Sequence, residues 1–185
     1  MNLINMDSVL RVKTTQSTAS EEIAFAIGES ALGSVLAARS AEGVCAILIG
    51  SQPAELESDL ASRFTQSKFA RDDRKLGDDL CKILRFIETP AEGLALELDI
   101  RGTPFQQRVW EALLRIPIGA IVTYGALARR IGKPDAVRAV ANACAANAIA
   151  LAIPCHRVVR RNGTLSGYRW GIERKRALLA KEARA

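Results

Sequence analysis

Three apolar runs between residues 22 and 50, EIAFAIG, LGSVLAAR and VCAILIG, follow one another closely and are broken by Gly28, Gly33, Gly43 and Gly50. Short runs of this kind, punctuated by glycine, read as strands, and connections of a few residues suit antiparallel neighbours. They predict a small antiparallel sheet. Pro53 then opens a helix to about Phe64, and a second helix over roughly residues 72–87 carries Leu76, Leu80, Ile83, Leu84 and Ile87 at helical spacing. An extended segment, LALELDI, follows. The expected class is α+β, with a small N-terminal domain of sheet and helices over residues 21–100 and a mostly helical domain over 101–185. Residues 1–20, rich in Ser and Thr, read as a loose leader or the remnant of a linker.

Charge divides the chain at the same place. Residues 1–100 hold 10 Lys/Arg and 16 Asp/Glu, net −6, whereas residues 101–185 hold 16 Lys/Arg and 4 Asp/Glu, net +12; the two sum to the overall +6. Most of the later cations are Arg, suited to bidentate phosphate contact and to stacking, so a polyanionic partner is one reading and a solvated basic face the other. A hydrophobic fraction of 49% argues against wholesale disorder. No run of about eighteen apolar residues offers a membrane span, and the first residues lack the pattern of a secretory signal, so a cytoplasmic protein without membrane partners is expected.

The cysteines are Cys45, Cys81, Cys144 and Cys155, with no CxxC pair. In that compartment they read as free thiols, the first three as small core residues: Cys45 in a buried strand, Cys81 on the apolar side of a helix, Cys144 in an Ala-rich helix. Cys155 stands beside His156, the only histidine. Adjacent residues make a poor chelate, so neither a metal nor another cofactor is expected. What remains is a thiol next to a side chain that moves protons near neutral pH. Neighbours on a strand point to opposite faces, but Pro154 favours a bend at this point.

The basic half opens on a helix signal: Thr103 as N-cap, Pro104 at the first helical position and Gln106 completing a capping box. That helix is expected to run to about Ile116, with Phe105, Val109, Leu113 and Ile116 toward the core. Thr123 caps a short helix over residues 124–131, Gly132-Lys133-Pro134 breaks it, and another helix over 135–146 ends at Asn147, expected in a left-handed capping conformation. Two short helices across a glycine-containing turn make a helix-turn-helix candidate. The side chains of VRAVANACAA are small, with Arg138 in the first turn. Such a helix either approaches a nucleic-acid groove closely or is an Ala-rich core helix.

These segments resemble a known family. PCHRVV at 154–159, preceded by AANAIALAI and followed by GTLSGYRWG, together with FQQRVW at 105–110 and TYGALA at 123–128, is similar to the O6-alkylguanine-DNA alkyltransferases, or methylated-DNA–protein-cysteine methyltransferases, and within them to the C-terminal part of adaptive-response proteins. The resemblance is dense over 101–185, and it implies a ribonuclease-like N-terminal domain. It further implies single-turnover repair of double-stranded DNA by a monomer, in which the alkyl group on O6 of guanine, or less readily O4 of thymine, passes irreversibly to Cys155. His156 takes the thiol proton through a water, Glu182 orients the imidazole, and Asn147 is the hinge between recognition helix and active-site turn. Tyr124 donates to guanine N3 and helps rotate the phosphate, and the Val158 carbonyl accepts from the exocyclic amine. Tyr168, Arg169 and Trp170 close the pocket. Arg138 fills the place of the flipped base, and Gln106, Lys133 and Arg161 contact the DNA backbone.

The chain departs from the pattern in places. The zinc-binding and activator domains of adaptive-response proteins are not in this sequence, so a stand-alone protein and a piece of a longer regulator both fit. Thr123 stands where many members have Ser. Cys155 is present, unlike in the non-catalytic lesion sensors of the family. A DNA-binding regulator with an inert thiol and a cysteine hydrolase are the competing classes.

Overall fold

The computed structural model describes residues 11–13, 21–165 and 167–185. Its order is β1 (Arg11–Lys13), β2 (Glu22–Ser30), β3 (Gly33–Arg39), β4 (Val44–Gly50), α1 (Pro53–Arg63), β5 (Lys68–Arg71), α2 (Asp73–Glu88) and β6 (Glu97–Asp99). There follow α3 (Pro104–Leu114), β7 (Val122–Thr123), α4 (Tyr124–Arg130), α5 (Val137–Ala146), a 3-10 turn (Cys155–Arg157), β8 (Val158–Val159) and α6 (Ile172–Glu182). The architecture is α+β, as expected. No helix among the described residues is long and apolar enough to cross a membrane.

The three glycine-bounded runs form the antiparallel meander β2-β3-β4. The sheet as a whole is mixed, in the order β1-β6-β4-β3-β2-β5, because β5 pairs parallel with β2, and β6 parallel with both β4 and β1. Two corrections follow. Arg11–Lys13 belong to an edge strand, not to a loose leader; the rest of 1–20 lies outside the described residues. KFAR at 68–71, too short and too polar to read as a strand, is one because β2 offers it an open edge.

The hairpin between β2 and β3 turns on Gly33, whose φ of +100° is open to glycine, and an added Cβ would lie 2.5 Å from the Gly50 carbonyl. On the sheet lies α2, capped by Asp72, whose side chain accepts from the Lys75 amide. Leu76, Ile83, Phe86 and Ile87 are buried, and Leu80 and Leu84 approach Gly28 so closely that a Cβ there would meet them at 3.1–3.2 Å. Cys81 projects to solvent, contrary to the expectation of a core residue. It sits five positions after Leu76, about 140° around the helix, outside the apolar stripe. Cys45 and Cys144 are buried as expected.

In the basic half the capping box of α3 forms in both directions: the Gln106 amide donates to Thr103 Oγ1, and the Thr103 amide to Gln106 Oε1 at 2.8 Å. Val109, Trp110, Ala112 and Leu113 are buried, Phe105 only half so. Thr123 caps α4 through the Ala126 amide. Gly132, with φ +69°, ends α4, and α5 follows after a short turn. Trp110 Nε1 donates to the Ala143 carbonyl at 2.9 Å and locks α5 onto α3.

The two halves share one apolar core. Their junction is a backbone bridge: the Ile47 amide in β4 donates to the Ala148 carbonyl at 2.9 Å, and the Ala150 amide donates back to Ile47 at 3.0 Å. The segment immediately after α5 is thereby tied to the centre of the sheet.

Candidate active site

After α5 the chain does not close on a left-handed residue. Asn147 has φ −56° and ψ 125°; its side chain, not its backbone, organises the segment. Asn147 Oδ1 accepts from the Ile149 amide at 2.9 Å, and Nδ2 donates to the Ile153 carbonyl at 2.9 Å and to Cys155 Sγ at 3.3 Å. The positive φ falls at Leu151 instead, at 68°. Pro154 then bends the chain as its sequence suggests, and Cys155–Arg157 form a single 3-10 turn that ends in β8.

The turn buries Cys155, His156 and Arg157 together. His156 Nε2 lies 2.8 Å from Glu182 Oε1, at the end of α6. Arg157 grips the same carboxylate with two bonds of 2.8 Å, from Nε to Oε2 and from Nη2 to Oε1, and its Nη1 donates to the Ile116 carbonyl. Burial pushes the Glu182 carboxyl up, but the hydrogen bonds from His156 and Arg157 and their charges outweigh it and hold it at about 2. An ionised carboxylate only accepts, so His156 donates through Nε2–H and its lone pair is on Nδ1. Nδ1 is buried and has no hydrogen-bond partner among the described residues. Burial, aided by the Arg157 and Lys175 charges, lowers the His156 pKa despite Glu182, so the ring is neutral at pH 7.

Cys155 is a thiol at rest. Desolvation raises it to about 11, against the Asn147 hydrogen bond and the Lys175 charge that pull it down. A neutral imidazole with its lone pair on Nδ1 is thus next in sequence to a buried thiol. Cys45, by contrast, is raised to about 12 by burial and lies apart from this group.

Two residues of the site escaped sequence reasoning. Arg157 reads as a surface cation but completes the Glu182 clamp. Lys175 is fully buried and donates from Nζ to the Val158 carbonyl. Its signal was available: Lys175, Leu178 and Glu182 recur at helical spacing and are the buried residues of α6.

Of the other sequence-derived residues, Tyr168 and Trp170 are buried, their rings 5.1 Å apart at 68°, and the Tyr168 and His156 rings form a T-shaped pair with centroids 6.5 Å apart. The Val158 carbonyl, in β8, accepts from Lys175 Nζ. Tyr124 is half-buried at the start of α4. Arg169 is not turned to the cysteine: its Nη2 donates to Asp59 Oδ1 in α1 at 2.6 Å. Arg138, Lys133 and Arg161 are exposed. Gln106 has its Oε1 occupied by the capping box, leaving Nε2 for another acceptor.

Residues 104–184 match the family described as 6-O-methylguanine DNA methyltransferase, DNA binding domain. The chain is 50% identical over 161 residues to the bifunctional transcriptional activator/DNA repair enzyme Ada of Escherichia coli, covering 87% of this chain and 46% of that protein. It thus spans about half the length of the Ada relatives it matches. The inducible methylated-DNA–protein-cysteine methyltransferase of Bacillus subtilis is 39% identical over 142 residues, 75% of this chain and 79% of the relative. Among solved structures, Mycobacterium tuberculosis OGT in complex with DNA superposes with a TM-score of 0.70 at 36% identity, covering 88% of this chain and 93% of that one. With this coverage and identity, the chain belongs to the methylated-DNA–protein-cysteine methyltransferase family.

Proposed function

We propose that this chain repairs DNA by moving the methyl group of O6-methylguanine, and less readily that of O4-methylthymine, irreversibly onto Cys155. The observation that carries the reading is the 2.8 Å bond from His156 Nε2 to Glu182, which puts the imidazole lone pair on Nδ1 and supports its role as the base for the neighbouring thiol. The thiol proton passes to His156 Nδ1 through a bridging water. The Sγ–CH3 bond forms as the CH3–O6 bond breaks, and the released electron pair enters the purine ring. Attack on a saturated carbon favours sulfur, the softest nucleophile among the side chains, and the thioether product has no route back. Each chain acts once.

Tyr124 stabilises the leaving base by donating to N3, and the Val158 carbonyl accepts from the exocyclic amine. Tyr168, Arg169 and Trp170 form the closing wall, with backbone N–H groups near Arg169 over O6. Asn147 joins α5 to the nucleophile through the hydrogen bond it already makes to Sγ. The target atom is stacked in a duplex, so the nucleotide is flipped out. In this reading α4 and α5 are a helix-turn-helix whose small side chains lie in the minor groove, and Arg138 takes the place of the departed base. Lys133, Arg161 and the free Nε2 of Gln106 touch the backbone, and Tyr124 turns the phosphate. The basic domain over 101–185 performs recognition and chemistry as a monomer in the cytoplasm, with the domain over 21–100 packed against it.

The test is incubation with duplex DNA carrying O6-[methyl-3H]methylguanine, followed by peptide mapping. One methyl per chain is expected on the peptide containing Cys155; label elsewhere, or none, sinks the reading. Arg138→Ala is expected to slow transfer from duplex DNA at least about tenfold, because the unstacking cost of a few kcal/mol loses its compensation. Transfer from the free base should hardly change, and equal slowing of both would remove Arg138 from the flipping step.

A further inference from the structure

The N-terminal half grips the Tyr168–Trp170 segment at two points. Arg169 Nη2 reaches Asp59 Oδ1 at 2.6 Å, and the same oxygen accepts from Arg63 Nε at 3.2 Å. On the other side of Trp170, Arg174 donates to the Leu32 carbonyl at 2.7 Å and to Ser51 Oγ at 3.0 Å, while its Nη1 returns to the Trp170 carbonyl at 2.9 Å. Both anchors are stiff. Asp59 lies in α1, held down by buried Leu56 and Leu60, and Leu32 is in the β2–β3 turn. The Tyr168 ring that meets His156, and the Trp170 ring packed against it, therefore stand on a segment strapped to the other half of the molecule.

We propose that Asp59 is a positioning residue that sets the aperture of the alkyl pocket: through Arg169 it holds the Tyr168–Trp170 wall against Cys155 and His156, so that O6 substituents larger than methyl must first part the strap. The inference rests on the methyl-transfer reading. Its physical basis is a shared carboxylate between two guanidiniums. Removing it does more than delete one exposed ion pair, because Arg63 and Arg169 are then left as like charges facing each other. Trp170 also lines a groove of about 480 Å³ with Ala31, Leu32, Arg174 and Ala177, which gives the indole room to retreat when the strap is released.

The experiment compares Asp59→Ala and Asp59→Glu with the unaltered chain. Single-turnover rate constants are measured on duplex DNA carrying O6-methylguanine or O6-benzylguanine, with amide hydrogen exchange read over residues 167–174. In Asp59→Ala the benzyl-to-methyl rate ratio is expected to rise about fivefold and exchange by a similar factor, the size of a lost ion pair of this exposure, with the methyl rate changed less than about threefold. Asp59→Glu should keep both near the original values. An unchanged ratio in Asp59→Ala overturns the proposal, whether or not exchange rises, as does an equal fall in both rates. If the unaltered chain moves no methyl to Cys155, the functional reading fails first; unchanged exchange in Asp59→Ala then disproves the strap independently.

Discussion

Cys155→Ser should lower methyl transfer by more than about a thousandfold, the scale seen when a nucleophile is removed, while leaving the fold and DNA affinity in place. The change swaps one atom, and Asn147 Nδ2 can donate to a hydroxyl as it does to Sγ at 3.3 Å. What is lost is the chemistry. A serine hydroxyl is far less acidic than a thiol and is a harder nucleophile, so the neutral His156 no longer yields an anion suited to a methyl carbon. Single-turnover transfer and fluorescence anisotropy on methylated duplex separate the two properties; transfer within tenfold of the unaltered chain would disprove the nucleophile assignment. The pH dependence has a defined sign. Burial lowers the His156 pKa, so the base is available at neutral pH, and the acid limb of the rate profile should lie below about pH 6.5.

Glu182→Gln should destabilise the fold by about 3–5 kcal/mol, the cost of stranding a buried cation without its partner. Arg157 loses the ionised acceptor of two hydrogen bonds, and His156 loses the group that fixes its tautomer. For a chain of this size the melting temperature should fall by about 6–20 °C, measured by calorimetry at pH 7.5. A loss below about 1 kcal/mol would show that the clamp is not a structural element. The same pair gives the protein an acid limit. Glu182 drops from a usual value of 4.5 to about 2 on folding, so its stabilisation is complete above about pH 4.5 and is lost as pH falls toward 2. His156 is also depressed, and its contribution, full above about pH 6.5, is lost as pH falls through its lowered folded value. Acid melting curves should therefore weaken in two stages, and Glu182→Gln should remove the lower one.

Local signals in the sequence were dependable where one residue determines the backbone. Thr103, Gln106 and Thr123 cap as their types and spacing predict, and Pro154 turns the chain at the thiol. Long-range electrostatics was not legible. Arg157 next to His156 looks like any surface arginine, and its role depends on a carboxylate 25 residues away whose position α6 alone determines. Asn147 shows the same limit in another form. Its position after a helix suggests a backbone cap, yet the site needs its amide for two carbonyls, a backbone N–H and the nucleophile, a demand set by the tertiary path of residues 148–155.

The ion pairs between the halves have a consequence for encounter. Glu21, Asp59 and Glu88 neutralise Arg101, Arg169 and Lys181, so the acidic half quenches the cations nearest to it. Arg129, Arg130, Lys133, Arg138, Arg160 and Arg161 are exposed and have no ion pair among the described residues. The molecule is therefore an electric dipole, with its positive pole on α4, α5 and the β8 loop. In the field of a polyanion such a body experiences torque as well as attraction, which raises the share of collisions that arrive reaction-side first. At physiological ionic strength that field reaches only about 8 Å, so the turning happens in the last stage of approach.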